Sequence, residues 1–329
     1  LKKKYCKMNN YWKNKLTNEQ QLIYDKMLSA LNNRQQLITI PKTSDEKLME
    51  CFWSVQDDHP ELFYVLSRIG CGIGPSDMQV QFDYLYSANT TYLISNEIEK
   101  IINDIKNKTN LNNDRELENA IINAIVPRTK YQIDDTNNQS AASALYYRKA
   151  QCSGFARGFK YLADKLGLWS ICVRGSYEDP ITHNTIAHEW NIVKIDNEYY
   201  HLDLTSLLSY YETNGSLDGA IINSSDEHLA AKTFWDKAKS PNCNNILINV
   251  NNCLEKLSPS NIFTRLYDFK QLILNSAKNN KKTIVFQLKI SQYTDDKLQK
   301  MVIDEIQKQF KNVAISLKIY GNIYVIMIK

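Results

Sequence analysis

The chain has 329 residues, 43% of them hydrophobic, and 20 tyrosines, a composition that excludes a disordered protein and a length that admits two domains. A net charge of +4 is too small a surplus to point to nucleic acid. Seven cysteines without a CxxC pair argue against a disulfide scaffold and a zinc ribbon, and the odd total leans towards a reducing compartment.

Taken in order, residues 1–16 form a basic leader with Lys2, Lys3, Lys4, Lys7, Lys13 and Lys15 and no acid. It reads as a solvated, flexible segment, and contact with an anionic membrane or wall polymer is the functional alternative. Thr17 is placed to cap an amphipathic helix through Leu22, Ile23, Met27 and Leu31. A second helix follows with Leu48, Phe52 and Val55, then a turn cluster at Cys71–Pro75 that lacks the spacing of a phosphate loop. Gln79–Tyr86 alternates as a strand, and Ser95–Lys106 and Asp114–Val126 read as helices, the first capped by Ser95. Asn137–Ala144 is a loop. No run of about 18 apolar residues exists to span a membrane. No signal peptide is visible either, but the chain starts at Leu1, so a removed leader stays open and no compartment is assigned.

The chemistry concentrates between Ala150 and Thr205. After Cys152, the residues Phe155, Phe159, Leu162 and Leu166 form one apolar helical stripe, and Gly167 sits where that helix should stop. Cys152 therefore lies at the helix N-terminus, outside the stripe, where unpaired N–H groups and the dipole favour a thiolate. Ser170–Gly175 is a short strand whose Cys172 belongs to the core. Ala187–Ile195 and Glu198–Thr205 are strands joined by a turn at Asp196-Asn197. A two-residue turn sets Ile195 opposite Glu198, Trp190 opposite Asp203 and His188 opposite Thr205. His188, Trp190, Asp203 and Thr205 then share a face, with His188 and Asp203 diagonal neighbours about 7 Å apart.

A thiolate nucleophile, an imidazole that pairs with it and protonates the leaving group, and a carboxylate that orients the imidazole make a catalytic triad. Cys152, His188 and Asp203 are the candidates; each alone would more often be structural, and the set carries the reading. Gln151, Trp190, Tyr131 and His183 are candidates for lining the substrate cleft, His183 from the polar loop Glu178–Thr185. Tyr131 and Tyr147 lie near the cysteine helix in sequence, where packing is the commoner role. Asn191 has the opposite parity to His188 and should face away. His183 and His201 lack the i, i+4 partner of a metal pair, so no metal is assigned.

Gln151-Cys152-Ser153-Gly154-Phe155-Ala156, His188-Glu189-Trp190-Asn191 and Tyr200-His201-Leu202-Asp203-Leu204-Thr205 resemble the three signature blocks of the transglutaminase-like superfamily. Asp58-His59-Pro60-Glu61-Leu62-Phe63 and Lys130-Tyr131 resemble segments that precede the cysteine in bacterial members, and the likeness continues to about Cys243. The resemblance implies an α+β fold with a papain-like core, in which the nucleophile helix packs on an antiparallel sheet carrying histidine and aspartate. It implies a thioester formed at Cys152 from a protein glutamine carboxamide or peptide carbonyl, with the second oxyanion donor unassigned. Such families include cross-linkers, deamidases, peptidases and inactive relatives. A cysteine peptidase with the same triad and a non-catalytic protein-binding module are therefore the alternatives. The partner is a protein or peptide substrate, without nucleic acid. No cofactor is expected, and no acidic loop suits the calcium that animal transglutaminases require.

Beyond Thr205 the sequence reads as irregular, then as an asparagine-rich boundary at 242–252. Cys243 and Cys253 have the option of pairing, but a free buried thiol is the simpler state. A helix at Ile262–Ala277 precedes strand Thr283–Ile290, helix Asp295–Phe310, strand Val313–Ile319, a Gly321-Asn322 turn and strand Ile323–Ile328. The expected organisation is a leader at 1–16, a catalytic domain at 17–245 and a helix plus βαββ domain at 246–329.

Overall fold

The computed structural model describes residues 10–133, 139–179, 182–250, 253–257, 259–311, 313–320 and 322–328. The fold is α+β, and the chain divides into two compact units, Leu1–Ser216 with Ile222–Asn245, and Leu217–Ile221 with Ile246–Lys329. Among the described residues, no helix is long and apolar enough to cross a membrane.

The first unit opens with helix α1 (Asn18–Asn32), whose Thr17 cap and Gln20 close a capping box. Strand β1 (Leu37–Pro41), helix α2 (Asp45–Asp58) and strands β2 (Val65–Ile73) and β3 (Asp77–Tyr84) follow. The three strands form an antiparallel sheet in the order β1-β3-β2, and Tyr24, Met27, Phe52, Val80 and Phe82 fill the core beneath it. Cys71–Ile73, read as part of a turn, ends β2 instead. Helix α3 (Ala88–Lys108) starts seven residues before the expected Ser95, because Ser87 accepts from the Thr90 N–H. Ile94, Ile98, Ile102 and Ile105 give α3 its buried stripe. Helix α4 (Asp114–Ile125) is capped by Asn113.

The segment expected as a flexible leader is structured in part. Its residues 1–9 lie outside the described residues, but residues 10–16 are held to the body of the unit. The Trp12 and Lys13 N–H groups donate to the Asp58 carboxylate at 3.0 and 2.9 Å, and the Trp12 indole N–H donates to the Cys172 carbonyl at 2.8 Å. Two aromatic side chains, Tyr11 and Trp12, supply the contact area that a run of lysines hides in the sequence.

Strands β4 (Lys130–Tyr131) and β5 (Lys149–Ala150) pair in parallel and deliver the chain to helix α5 (Cys152–Leu166). Residues 137 and 138 of the expected loop lie outside the described residues, and Ser143–Tyr147 winds as a helical turn. Phe155, Phe159, Leu162 and Leu166 are buried, and each such side chain stabilises the packing by about 1.5–3 kcal/mol. Gly167 ends the helix at φ 82°, where a Cβ would be strained.

The strands β6 (Ser170–Glu178), β7 (Thr185–Ile195), β8 (Glu198–Leu202) and, after helix α6 (Leu204–Asn214), strand β9 (Ile221–Asn223) and helix α7 (Asp226–Leu229), strand β10 (Thr233–Trp235) complete the unit. The central antiparallel sheet runs β10-β6-β7-β8, and the Asn191 amide on β7 donates to the Ala156 carbonyl of α5 at 3.0 Å, so α5 covers that face. Asp196 and Asn197 both have positive φ, 51° and 68°, and set Ile195 opposite Glu198 as a two-residue turn requires. The ladder stops at Leu202 opposite Asn191, so neither Asp203 nor Thr205 lies in a strand. Gly175, opposite His188, is packed so closely that a Cβ would collide with the Phe234 carbonyl oxygen and lie 2.8 Å from the Trp190 ring.

A buried ionic cluster ties these layers together. Asp57 at the end of α2 meets Arg174 of β6 in a two-pronged contact at 2.6 and 2.8 Å and Arg157 of α5 at 3.3 Å. Glu189 of β7 lies 3.4 Å from Arg157 and 3.3 Å from Arg174.

The second unit contains the hairpin β11 (Leu247–Val250) and β12 (Cys253–Lys256), the short strand β13 (Ile262–Phe263), helix α8 (Leu266–Lys278), strand β14 (Thr283–Leu288), helix α9 (Asp295–Gln309), and strands β15 (Ile315–Tyr320) and β16 (Ile323–Ile328). Its sheet is β13-β14-β16-β15, with Phe269, Ile273, Leu298, Val302 and Ile306 of the helices packed on Ile284, Phe286, Tyr324 and Ile326. The segment expected to begin α8 pairs in parallel with β14 and adds a fourth strand. Gly321 of the expected turn lies outside the described residues.

Two substitutions test this packing by urea denaturation. Glu189→Gln leaves the buried Arg157 and the one-third-exposed Arg174 facing one carboxylate and is expected to cost about 3 kcal/mol. Gly175→Ala is expected to cost about 1–3 kcal/mol through overpacking against Trp190 and β10. An unchanged midpoint in either variant would show that the contact carries no stability.

Candidate active site

Cys152 is the first residue of α5, and the extended Gln151 precedes it as the N-cap residue. The thiol is half-buried beside the open N–H groups of the first helical turn, where the dipole favours negative charge. His188 projects from β7 opposite Gly175, so no facing side chain crowds its ring. Tyr177 meets it edge-on at 5.4 Å, and Trp190 stacks on it at 5.7 Å with the planes 21° apart.

Asp203 is reached by a different route from the one the sequence suggests. It caps α6: one carboxylate oxygen accepts from the Thr205 and Ser206 N–H groups at 2.9 and 3.3 Å. The other lies 2.8 Å from His188 Nε2 and accepts from the Ser206 hydroxyl at 2.8 Å. Thr205 is thereby a residue of α6 and not a neighbour of His188.

With Nε2 on Asp203, Nδ1 is the nitrogen left for Cys152, whose sulfur is near enough to act electrostatically on the ring. Burial pulls the basicity of His188 down, but the Asp203 carboxylate and the Cys152 sulfur outweigh it and push its pKa up to about 10. Burial pushes Asp203 up, yet His188 and the Ser206 bonds hold it below the ordinary carboxylate range. Proximity of an anion to a cation thus sets both directions.

Tyr131, in register with Ala150, joins the site. Its hydroxyl pKa is raised by burial and by the nearness of Cys152, Tyr177 and Asp203. Tyr177 was not singled out in the sequence, because β6 reads as ending at Gly175. It pairs with Ile186, shares the face of His188, and is likewise raised by burial, Asp179, Cys152 and Asp203. The alternation of Gly175 and Tyr177 was the available signal.

Of the other expected cleft residues, Trp190 and His183 stand elsewhere, while Tyr147 packs and Asn191 faces away as their positions suggest. Trp190 is only 1% exposed and cannot line a cleft; it backs the histidine ring. His183 sits in the β6–β7 loop with its Nδ1 2.8 Å from Glu178, whose ladder partner Thr185 is three residues or about 10 Å of strand from His188. Pro180 and Ile181 of that loop lie outside the described residues. Tyr147 stacks on Tyr86 at 5.8 Å. Asn191 is fully buried under α5.

Among the described residues, Cys51, Cys71, Cys152, Cys172 and Cys243 are free thiols, and the Cys253 side chain lies outside them. His201, Asp226 and Cys243 bring three donor atoms within 4.8 Å of one another, the one group with a metal-like donor set among the described residues. The Trp190 indole can only donate, and it donates to His201 Nδ1 at 3.0 Å. His201 Nε2 therefore carries the ring proton and donates to Asp226 at 2.8 Å, so the lone pair a cation needs is missing. Burial and Asp226 raise the Cys243 thiol far above its ordinary range, which keeps it protonated.

Residues 101–204 match the family model described as the transglutaminase-like superfamily, a segment that contains Cys152, His188 and Asp203. The chain is similar to that superfamily over this segment. Two solved structures also match. One, "Crystal structure of a TGase", is 14% identical, with 54% of this chain and 53% of that chain covered and a TM-score of 0.31. The other, described as "a Putative Cysteine Protease from Cytophaga hutchinsonii", is 12% identical, with 58% and 73% covered and a TM-score of 0.28. The chain thus spans about half the length of the first. Comparison with curated proteins gave no match.

The sign of the His188 shift fixes a pH window. A histidine whose basicity rises on folding stabilises the protein fully below its unfolded pKa of about 6.5. That stability is lost as the pH passes through about 10. Nitrogen NMR of labelled histidine should find the His188 ring doubly protonated at pH 8, and a neutral ring there would contradict the ion pair.

Proposed function

We propose that the chain is a cysteine-dependent acyl-transferase or hydrolase of the transglutaminase-like type. The observation that carries the reading is the histidine between two groups: its Nε2 lies 2.8 Å from the Asp203 carboxylate, and the Cys152 sulfur at the start of α5 acts electrostatically on the same ring. The match of residues 101–204 to the superfamily supports it.

Cys152 is the nucleophile. Its thiolate adds to the carbonyl carbon of a glutamine carboxamide or a peptide, and the electron pair moves to the carbonyl oxygen. The Cys152 N–H at the helix start is one donor for that oxyanion, and such a donor contributes roughly 3 kcal/mol to barrier lowering. The imidazolium of His188 then gives its Nδ1 proton to the departing ammonia or amine, and the collapsing oxyanion leaves a thioester on Cys152. Asp203 holds the ring orientation and its Nε2 proton throughout.

In the second half, neutral His188 takes a proton from the incoming nucleophile. Water yields a carboxylic acid, which is deamidation or hydrolysis, and a lysine amine yields an isopeptide cross-link. Thiolate and proton are restored in either case. The half-exposed tyrosines Tyr131 and Tyr177 flank the thiol and are assigned to substrate contact.

Iodoacetamide at pH 6 with peptide mapping tests the nucleophile without a known substrate. Cys152 should alkylate faster than the exposed thiol of Cys71, and His188→Ala should slow it at least about tenfold, since one pKa unit separates thiolate populations by that factor. Equal rates at Cys152 and Cys71 would remove the active-enzyme reading. With glutamine-containing protein substrates, a mass gain of about 1 Da reports deamidation, linked chains report transfer and shortened chains report proteolysis.

A further inference from the structure

We propose that Trp190, His201 and Asp226 form a buried hydrogen-bonded relay that positions and polarises the ring on which His188 rests, making His201 a positioning residue of the site. The proposal rests on the role given to His188 above. The chain of contacts is continuous. The Asp226 carboxylate accepts from His201 Nε2 at 2.8 Å, His201 Nδ1 accepts from the Trp190 indole N–H at 3.0 Å, and the indole face stacks on His188 at 5.7 Å.

The parts of the relay are fixed. Trp190 and His201 are each 1% exposed. The His201 main chain exchanges hydrogen bonds with Ser224 at 2.9 and 2.8 Å, and Trp235 closes over the imidazole edge-on at 4.8 Å. Satisfying a buried indole N–H needs only a neutral acceptor, for which a carbonyl or hydroxyl suffices. A histidine with a carboxylate behind it does more. The negative charge polarises the imidazole, the imidazole polarises the indole N–H, and electron density in the indole face rises. That face lies against the ring that carries the positive charge, so the relay strengthens a cation–π contact. No proton is transferred. His201 is the linker, and burial lowers its basicity despite Asp226, which keeps it in the neutral form the linkage requires.

The groups facing each ring are few. His188 is faced by Cys152 from α5, Tyr177 from β6 and Asp203 from the cap of α6. His201 is faced by Asp226 from α7, by Cys243, and electrostatically by Lys237.

The test is the pH profile of His188 protonation, read by nitrogen NMR of labelled histidine between pH 6 and pH 11 in the full chain, with Cys152 alkylation by iodoacetamide at pH 6 measured beside it and Cys71 as the internal reference. Asp226→Asn keeps a hydrogen-bond acceptor and removes the charge; His201→Leu removes the link; His201→Gln can accept from Trp190 and donate to Asp226. Loss of part of a cation–π contact should move the His188 deprotonation midpoint down by about half a unit, making the neutral ring about threefold more abundant at pH 9, in Asp226→Asn and His201→Leu. His201→Gln should restore most of that loss. Asp226 is about a quarter exposed at a helix start, so Asp226→Asn carries the test if His201→Leu does not fold.

Wild-type profiles in folded Asp226→Asn and His201→Leu overturn the relay while leaving the triad intact. A wild-type Cys152 no faster than Cys71 instead overturns the enzyme reading on which the relay rests. Added zinc should leave the wild-type profile unchanged, and a zinc effect abolished by His201→Leu would place a cation at His201 and overturn the relay.

Discussion

Two carboxylates and two guanidinium groups, Asp57, Glu189, Arg157 and Arg174, meet inside the first unit where α2, α5, β6 and β7 converge. Burying any one of these charges alone would cost several kcal/mol, so the four hold their places only as a set. Arg157 lies five residues along α5 from Cys152, and Glu189 is the residue after His188. The separation of thiol and imidazole is therefore referred to a point where two rigid elements are joined by charge. Ions paired in one geometry enforce register more sharply than apolar contacts, which tolerate sliding. Asp57 adds the N-terminal half of the unit to the same reference, through helix α2, whose end meets β6.

Around that reference, each side of the His188 ring has a separate support. The face rests on Trp190, an edge meets Tyr177, and Nε2 is on Asp203. The missing side chain at Gly175 is part of the same construction. It lets β10 and the Trp190 ring close up behind the strand, so the histidine stands on packed matter and not on a void. A ring held on one face, one edge and one nitrogen has few orientations left to lose, and this is what preorganisation means in atomic terms.

The sequence was most legible where local rules act. The stripe at Phe155, Phe159, Leu162 and Leu166 announced α5 and put Cys152 at its start, and Asp196-Asn197 announced the turn and hence the register of β7 on β8. It misled where one pattern served two elements. Leu202-Asp203-Leu204-Thr205 alternates like a strand, yet Asp203 is a helix cap, because its carboxylate can satisfy the first N–H groups of α6. Trp190 was correctly given the face of His188, but face-sharing says nothing about which residue on that face is sealed from solvent. The start of α3 was missed because its first turn is largely exposed and lacks an apolar stripe until Ile94. The ionic cluster was invisible, since Asp57 and Arg157 are 100 residues apart and no periodicity links them.

The division of labour within Asp203 has a consequence for how this position can change. One oxygen serves the start of α6 and the other serves the imidazole. Asparagine could supply the capping oxygen, but its amide would then face Nε2 with a donor and force the ring into the wrong tautomer. Glutamate carries the charge, but its extra methylene takes the oxygen out of reach of the helix it should cap. Serine caps well and leaves the histidine without an anion. Among natural side chains only aspartate meets both geometries, so a homologous chain that keeps α6 in place should be free to vary Tyr131 and Tyr177 and still be unable to drift here. The joint between the hairpin and the helix is a fixed point in sequence space as well as in the fold.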